Sequence, residues 1–487
     1  MPLTKTEAFA STVNPSSPAP VGPLFLVHLR MLAALAVAAV TLVLQACAGA
    51  PPAEAPLAPI ELPAQFSASG EQVLPLQWWQ VFDDPALDRL EALALADNFS
   101  LAAAQARLAR ARALAAQAGA ERIPKLDASA QAGVSRADGT ASSERYGLGL
   151  AAAYEVDLWG RIDAGVRSAE AELVAVENDL HTAAISLTAE LANRYFELQQ
   201  ELATFELLGN QKGTNQRIAE LIRLRFLNGQ SDIDELLRQQ QLVSQTESQL
   251  LQSQAQAELL TQQIAVLTGQ TPTRKIEPGA RTEPMLPPLP ATGVPLLWLQ
   301  QRPDIQAAFA RLEAADAALA RAVSAQYPRL NLGVDLETTA SRPGALFENW
   351  LASLTAGLTA PLIDGGNLRA QVEQAGAARD LALADYRQTV LEGLQEVEAA
   401  LLAERRDQGM LAHLEVQLEL AQAALEQLTF RYRQGAAAYL DVLSTLTSVQ
   451  SLERQRVALA YELMQDRVAL NRALAGYWTQ QADDSRD

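Results

Sequence analysis

Apolar and polar residues alternate one for one along RYGLGLAAAYEVDLWG. Tyr146, Leu148, Leu150, Ala152, Tyr154 and Val156 form one set, and Gly147, Gly149, Ala151, Ala153, Glu155 and Asp157 the other. A period of two sends successive side chains to opposite faces of a strand. LDASAQAGVS alternates in the same way from Leu126 to Ser135, and two later stretches, Leu330 to Glu337 and Trp350 to Thr359, repeat the pattern. The chain is therefore expected to form four strands in two hairpins, with ADGTASS and SRPGALFEN as their loops. One face of each strand is apolar and the other is small or polar. Two settings fit: a soluble sheet with one face on a core, and transmembrane barrel strands with aromatics near the interfaces. Tyr146, Tyr154 and Trp350 lie at or near the strand ends. Four strands cannot close a barrel and no open edge survives in lipid, so a barrel would need several chains.

The period lengthens elsewhere. Arg161 to Leu227 and Asn367 to Arg433 are each 67 residues without a proline. Leu180, Leu187, Leu191 and Leu198 recur at heptad-like spacing in the first, and Leu383, Val390, Leu394, Val397 and Leu401 in the second. As continuous helices each would span about 100 Å, too long for a globular core, so they require lateral coiled-coil contacts. Their partners run from Ser231 to Leu267 and from Ala437 to Leu474, and the Gln-rich face of the first reads as solvated.

Each copy has the same internal plan. LAAAQARLARARALAAQAGAERIPKL, from Leu101, aligns without gaps on IQAAFARLEAADAALARAVSAQYPRL, from Ile305. Pro124 falls on Pro328 and Arg107 on Arg311. RFLNGQ falls on RYRQGA, so Gly229 meets Gly435, and LTG at Leu267 falls on LAG at Leu474. The spacing drifts only from 204 to 207 along the chain, which marks a tandem duplication. Residues 271 to 303 hold eight prolines and separate the copies as a connector with little regular structure. Gly229 and Gly435 each follow a long helix, where glycine takes the left-handed conformation without a Cβ clash.

Composition narrows the chemistry. Hydrophobic residues reach 49% while aromatics are 5%, a gap filled by the helix formers Ala and Leu. A formal charge of -19 leaves no basic stripe for nucleic acid. Three scattered histidines and one cysteine give no metal or cofactor site and no internal disulfide. No nucleophile, base and orienter recur at catalytic spacing, and no phosphate-cradling loop occurs, so no catalytic residue is assigned. The single cysteine, Cys47, ends LQAC after the apolar run from Met31 to Leu44. Those fourteen residues rise only about 21 Å as a helix, so they read as a signal-peptide core rather than a membrane span. LQAC resembles a bacterial lipobox, which makes Cys47 the expected acylated N-terminus of the mature chain.

LQWWQVFDDPALDRLEALALADN resembles the mature N-terminal region of outer-membrane efflux lipoproteins of the NodT type, within the TolC-like outer membrane factors. LLWLQQRPDIQAAFARLEAADAALARAVSAQYPRL resembles their second-repeat signature, and PLIDGGNLRAQVEQA their strand-to-helix junction. The likeness covers nearly all of residues 76 to 478. It implies an α+β membrane protein built as a homotrimer. Each protomer would give four strands to one outer-membrane β-barrel and its long helices to one periplasmic coiled-coil barrel. The channel would be passive and without enzymatic activity or cofactor. It would couple through a periplasmic adaptor protein to an inner-membrane pump of the resistance-nodulation-division class, with outer-membrane lipid as its remaining partner.

The divisions expected on this plan are a signal peptide at 1–46, a lipid tether at 47–84, repeat one at 85–270, a connector at 271–297, repeat two at 298–476 and a tail at 477–487. By the same resemblance Gly229 and Gly435 turn the chain at the periplasmic tip, where the adaptor docks and the tunnel narrows. Relatives often carry an Asp in a DAQ segment there; this chain has Ser444, Thr445 and Leu446. Asp441 and Asp234 remain as candidates for an acidic gate, and Leu440, supported by Arg431 and Tyr432, for an aliphatic one. The rival reading is a soluble periplasmic coiled-coil or adaptor protein.

Overall fold

The computed structural model describes residues 62–474, except 137, 139–141, 275, 278 and 280–283 and the side chains of 296 and 299. The expected signal peptide, Cys47 and the expected C-terminal tail lie outside the described residues.

Two short helices open repeat one, and each is capped by the residue that precedes it. Asp84 accepts from the backbone N–H groups of Ala86 (2.8 Å) and Leu87 (3.3 Å) at the head of α1 (Pro85–Asp97). Asn98 accepts from Ser100 and Leu101 at the head of α2 (Phe99–Gly119). Side-chain acceptors at this position satisfy donors that the helix leaves unpaired. A hairpin follows, β1 (Lys125–Ser135) and β2 (Ser143–Val156), and then α3 (Arg161–Leu227) and α4 (Ile233–Leu267). Repeat two has α5 (Pro295–Leu299), α6 (Pro303–Ser324), β3 (Arg329–Ala340), β4 (Leu351–Thr359), α7 (Asn367–Arg433) and α8 (Tyr439–Leu474). Both α3 and α7 are continuous helices of 67 residues, as their proline-free runs predict. The predicted seam is inside: Leu187, Leu191 and Leu198 are buried on α3, as are Val390, Val397 and Leu401 on α7.

The turn from sheet to long helix is written the same way in both repeats. Gly160 and Gly366 stand at φ +71° and +87° immediately before α3 and α7. An upstream carboxylate receives the first free N–H groups: Asp157 from Ile162 and Asp163, Asp364 from Gly366 and Leu368. Those backbone donors hold the exposed Asp364 carboxyl below its usual range.

The four strands form one antiparallel sheet in the order β1-β2-β3-β4. Its register stacks the alternating positions across all four strands. Leu126 pairs with Ala152, Ala152 with Val334, and Val334 with Leu354. On the other face Asp127 pairs with Ala151, Ala151 with Asp335, and Asp335 with Ser353. The apolar face lies open in the single chain, with Leu126 71%, Val334 48% and Leu354 79% exposed. Among the described residues no strand pairs with the outer edge of β1 or of β4.

Two segments are more ordered than their composition suggests. The expected tether at 47–84 is a packed arm from residue 62 onward. Phe66 is buried edge-on against Trp298 at 5.7 Å, and Trp78 donates from its indole to the Thr188 hydroxyl at 3.2 Å. The connector, expected to have little regular structure, pairs with that arm through Gln72 and Pro290, and α5 begins within it at Pro295. Buried Arg467 donates to the carbonyls of Pro287 and Pro288 while binding Glu404 at 2.6 Å. Proline removes donors but not acceptors, and a buried guanidinium supplies what those carbonyls lack. The RPDI motif has a comparable duty. Arg302 binds Asp304 and Glu396, and together with the Trp298 indole it donates to the Ala473 carbonyl near the end of α8.

Three apolar clusters lie along the helices. One gathers Trp78, Leu191, Tyr195, Leu260 and Val468, and a second gathers Phe66, Trp298, Ile305, Val397 and Leu470. The smallest, Ile222, Leu236, Tyr432, Tyr439 and Val442, closes the end where both helical hairpins turn.

Candidate functional site: the hairpin tip

Both long helices end in the same hydrogen-bonded cap. Gly229 N–H donates to the Phe226 carbonyl at 2.9 Å and Gln230 N–H to that of Arg225 at 2.8 Å. In the second copy Gly435 donates to Tyr432 at 2.9 Å and Ala436 to Arg431 at 2.9 Å. This paired pattern around a left-handed residue is the Schellman cap, and the glycines stand at φ +69° and +76°. A Cβ added at either glycine meets nothing within 4 Å. The requirement for glycine is therefore set by backbone conformation, not by crowding.

Four helices meet just inside these turns. Tyr432 of α7 is buried, and its hydroxyl donates to Glu235 of α4 at 3.0 Å. The Arg225 guanidinium of α3 lies 4.5 Å from the Tyr432 ring centroid. Tyr439 of α8 packs against the same ring at 5.8 Å, and its hydroxyl donates to Gln239 of α4 at 2.5 Å. Ser231 also donates to Glu235. Burial and then the Glu235 carboxylate push the Tyr432 phenol up. Every polar bond named here ties the α7–α8 hairpin to the α3–α4 hairpin, except that from Ser231.

The residues singled out from the sequence divide into two groups. Tyr432 belongs to the buried junction. Arg431 does not; it is exposed, and its guanidinium donates to the Ala436 carbonyl at 3.0 Å, reinforcing its own turn. Leu440 is 56% exposed, and Asp441 and Asp234 are exposed as well. Sequence reading missed Arg225, Glu235, Tyr439 and Gln239. The repeat spacing held a signal for two of them, since 206 positions separate Arg225 from Arg431 and Glu235 from Asp441.

Among the described residues no helix is long and apolar enough to cross a membrane, and no group of His, Cys, Asp or Glu is arranged to hold a metal ion. The sheet carries an open apolar face, with Leu126, Val334 and Leu354 exposed.

The model of the outer membrane efflux protein family matches residues 90–270 and 294–476, one block per repeat. The chain is 35% identical over 436 residues to the pyoverdine export outer membrane protein OpmQ of Pseudomonas putida, covering 86% of this chain and 91% of that one. It is 27% identical to nodulation protein T of Rhizobium leguminosarum bv. viciae, over 91% and 93% of the two chains. The solved outer-membrane channel OprN superposes with a TM-score of 0.77 at 30% identity, over 86% of this chain and 99% of OprN.

Proposed function

The chain belongs to the outer membrane efflux protein family, and from that premise we propose how its parts assemble and open. It is an outer-membrane efflux channel, the exit duct through which an efflux system discharges its cargo. In our reading three copies join edge to edge, β4 of one against β1 of the next, so that each apolar face meets lipid and each polar face lines the lumen. The long helices continue the conduit through the periplasm and narrow at the tip. There the Gly229 and Gly435 turns dock a periplasmic adaptor, which links the duct to an inner-membrane pump of the resistance-nodulation-division class. Cys47 carries lipid, and the barrel is a second, independent anchor.

One observation carries this reading: a sheet in continuous register, apolar on one face and, among the described residues, unpaired at both edges, runs into two helices of equal length. In lipid an apolar face is at home but an unpaired edge is not, and joining chains removes the edges. A soluble adaptor, the rival reading of the sequence, would leave both face and edges in water.

The tip is the gate in this account. The Tyr432–Glu235 and Tyr439–Gln239 bonds hold the two hairpins together, with Arg225 stacked on Tyr432. Leu440, Asp441 and Asp234 line the outlet, and Arg431 stiffens the second turn. The duct performs no reaction of its own, and choice of cargo rests with the pump. Deleting the gene should sensitise the host to its pump's substrates, with the wild-type chain restoring efflux and fractionating with the outer membrane as a trimer. Recovery in the soluble periplasm would refute the reading.

A further inference from the structure

Between the tip cluster and the upper core, α3, α4 and α8 meet at a buried polar layer. Asn215 of α3 is fully buried and Gln450 of α8 nearly so. Their amides bond reciprocally: Asn215 Nδ2 donates to Gln450 Oε1 at 3.3 Å, and Gln450 Nε2 donates to Asn215 Oδ1 at 2.8 Å. Thr246 of α4 accepts from Asn215 Nδ2 at 3.0 Å, and Gln239 of α4 donates to the Asn215 carbonyl at 2.9 Å. Gln211 donates to the Gln450 carbonyl at 3.1 Å and to Glu453 at 2.7 Å, and accepts from Arg454 at 2.7 Å. Gln239 also accepts from Tyr439, so the tip's own bonds run into this layer.

Such a layer differs from the apolar packing on either side. Leucine contacts tolerate a shift along the helix axis because dispersion has little direction. A reciprocal amide pair does not, since sliding by one residue, about 1.5 Å, breaks both bonds and strands buried polar groups. Single polar positions in coiled coils fix register in this way. From Asn215 to the end of α3 is roughly 20 Å, the length of the arm below the layer. Among the described residues the small tip cluster and its few polar bonds hold that arm, whereas the layer is backed from above by the larger cluster around Leu191 and Leu260.

We propose that the Asn215–Gln450 pair is the pivot of the gate: it keeps α8 on α3 at one height while the arms below it part. The inference rests on the tip-opening reading above. These two are positioning residues, acting through the helices that carry the gate.

Planar-bilayer conductance of purified full-length trimers tests it, with heat-resistant trimers on gels as the assembly control. The starting point is the loosened tip, Tyr432→Phe with Glu235→Gln, expected to conduct several-fold more than wild type. Absence of that rise defeats the gate reading and the pivot with it. In the loosened background, oxidising Asn215→Cys/Gln450→Cys should leave the raised conductance intact, whereas oxidising Ile222→Cys/Val442→Cys in the arm should abolish it. Replacing the pair by Asn215→Leu/Gln450→Leu should raise conductance further, because opening then runs past the lost pin. A return to wild-type conductance on oxidising the upper pair, or no effect of the leucine pair, overturns the pivot and leaves the gate reading standing.

Discussion

Gly229 and Gly435 carry the clearest demand that the fold places on single residues. A β-branched side chain at φ near +70° is a steric outlier, and strain of this sort costs on the order of 1–3 kcal/mol. Long helices packed along their length withstand that, but a small turn does not keep its shape. Gly435→Val is therefore expected to leave trimers in the outer membrane and to abolish efflux with the cognate adaptor, read as cell susceptibility beside a gel of the trimer. Loss of the trimer would reduce the glycine to a folding role. Further along α7 and α8, burial and the neighbouring Asp407 push the Asp466 carboxyl up to about 7. Its folded value lies above its unfolded one, so its stabilising protonated form is fully present at low pH and lost as pH rises from about 4 through about 7. Asp407, held down chiefly by Arg406, contributes in the opposite sense at lower pH, around and below the ordinary Asp value. Thermal denaturation should thus show wild type losing stability between about pH 4 and 7 relative to Asp466→Asn; parallel curves would contradict this assignment. Residue roles were the least legible part of the sequence. Tyr432 stood out because it sits in a repeated phrase, whereas its partners Glu235 and Tyr439 lie on other helices and meet it only once both hairpins are folded.

Elements were the most legible. Period two gave the strands, proline-free runs gave the 67-residue helices, and the repeat spacing matched each element of the first copy to its counterpart in the second. The physical reason is that each depends on local periodicity, which a long regular element repeats many times. The arm at 62–84 and the connector escaped because isolated anchors, Phe66, Trp78 and the prolines' carbonyls, order them, and isolated anchors have no period. The strand faces yield a direct test. Leu150 lies on the apolar face and Ala151 on the polar one, opposite Asp127 and Asp335. An arginine facing lipid near the midplane costs about 2–4 kcal/mol and one facing the lumen much less. Leu150→Arg should cut the yield of outer-membrane trimers well below that of Ala151→Arg; equal yields would mean that the sheet does not face lipid.

The whole molecule is a conduit only when chains combine, since one sheet has two open edges. The proposed lipid anchor has its own test: mass spectrometry of the mature N-terminus should find Cys47 acylated, and Cys47→Ser should remove the lipid while leaving part of the efflux, because the barrel would still hold the membrane. Cleavage away from Cys47 would reject that anchor. Closure of the barrel across chains is the central claim, and edge-to-edge crosslinking in intact outer membranes tests it most directly. Cysteines placed one at a time along β1, from Leu126 to Val134, would each be combined with Ala356→Cys on β4 and oxidised. The account predicts that one or two neighbouring positions give covalent dimers and trimers that require both cysteines. A scan in which every combination stays monomeric, or forms disulfides only within a chain, would contradict it.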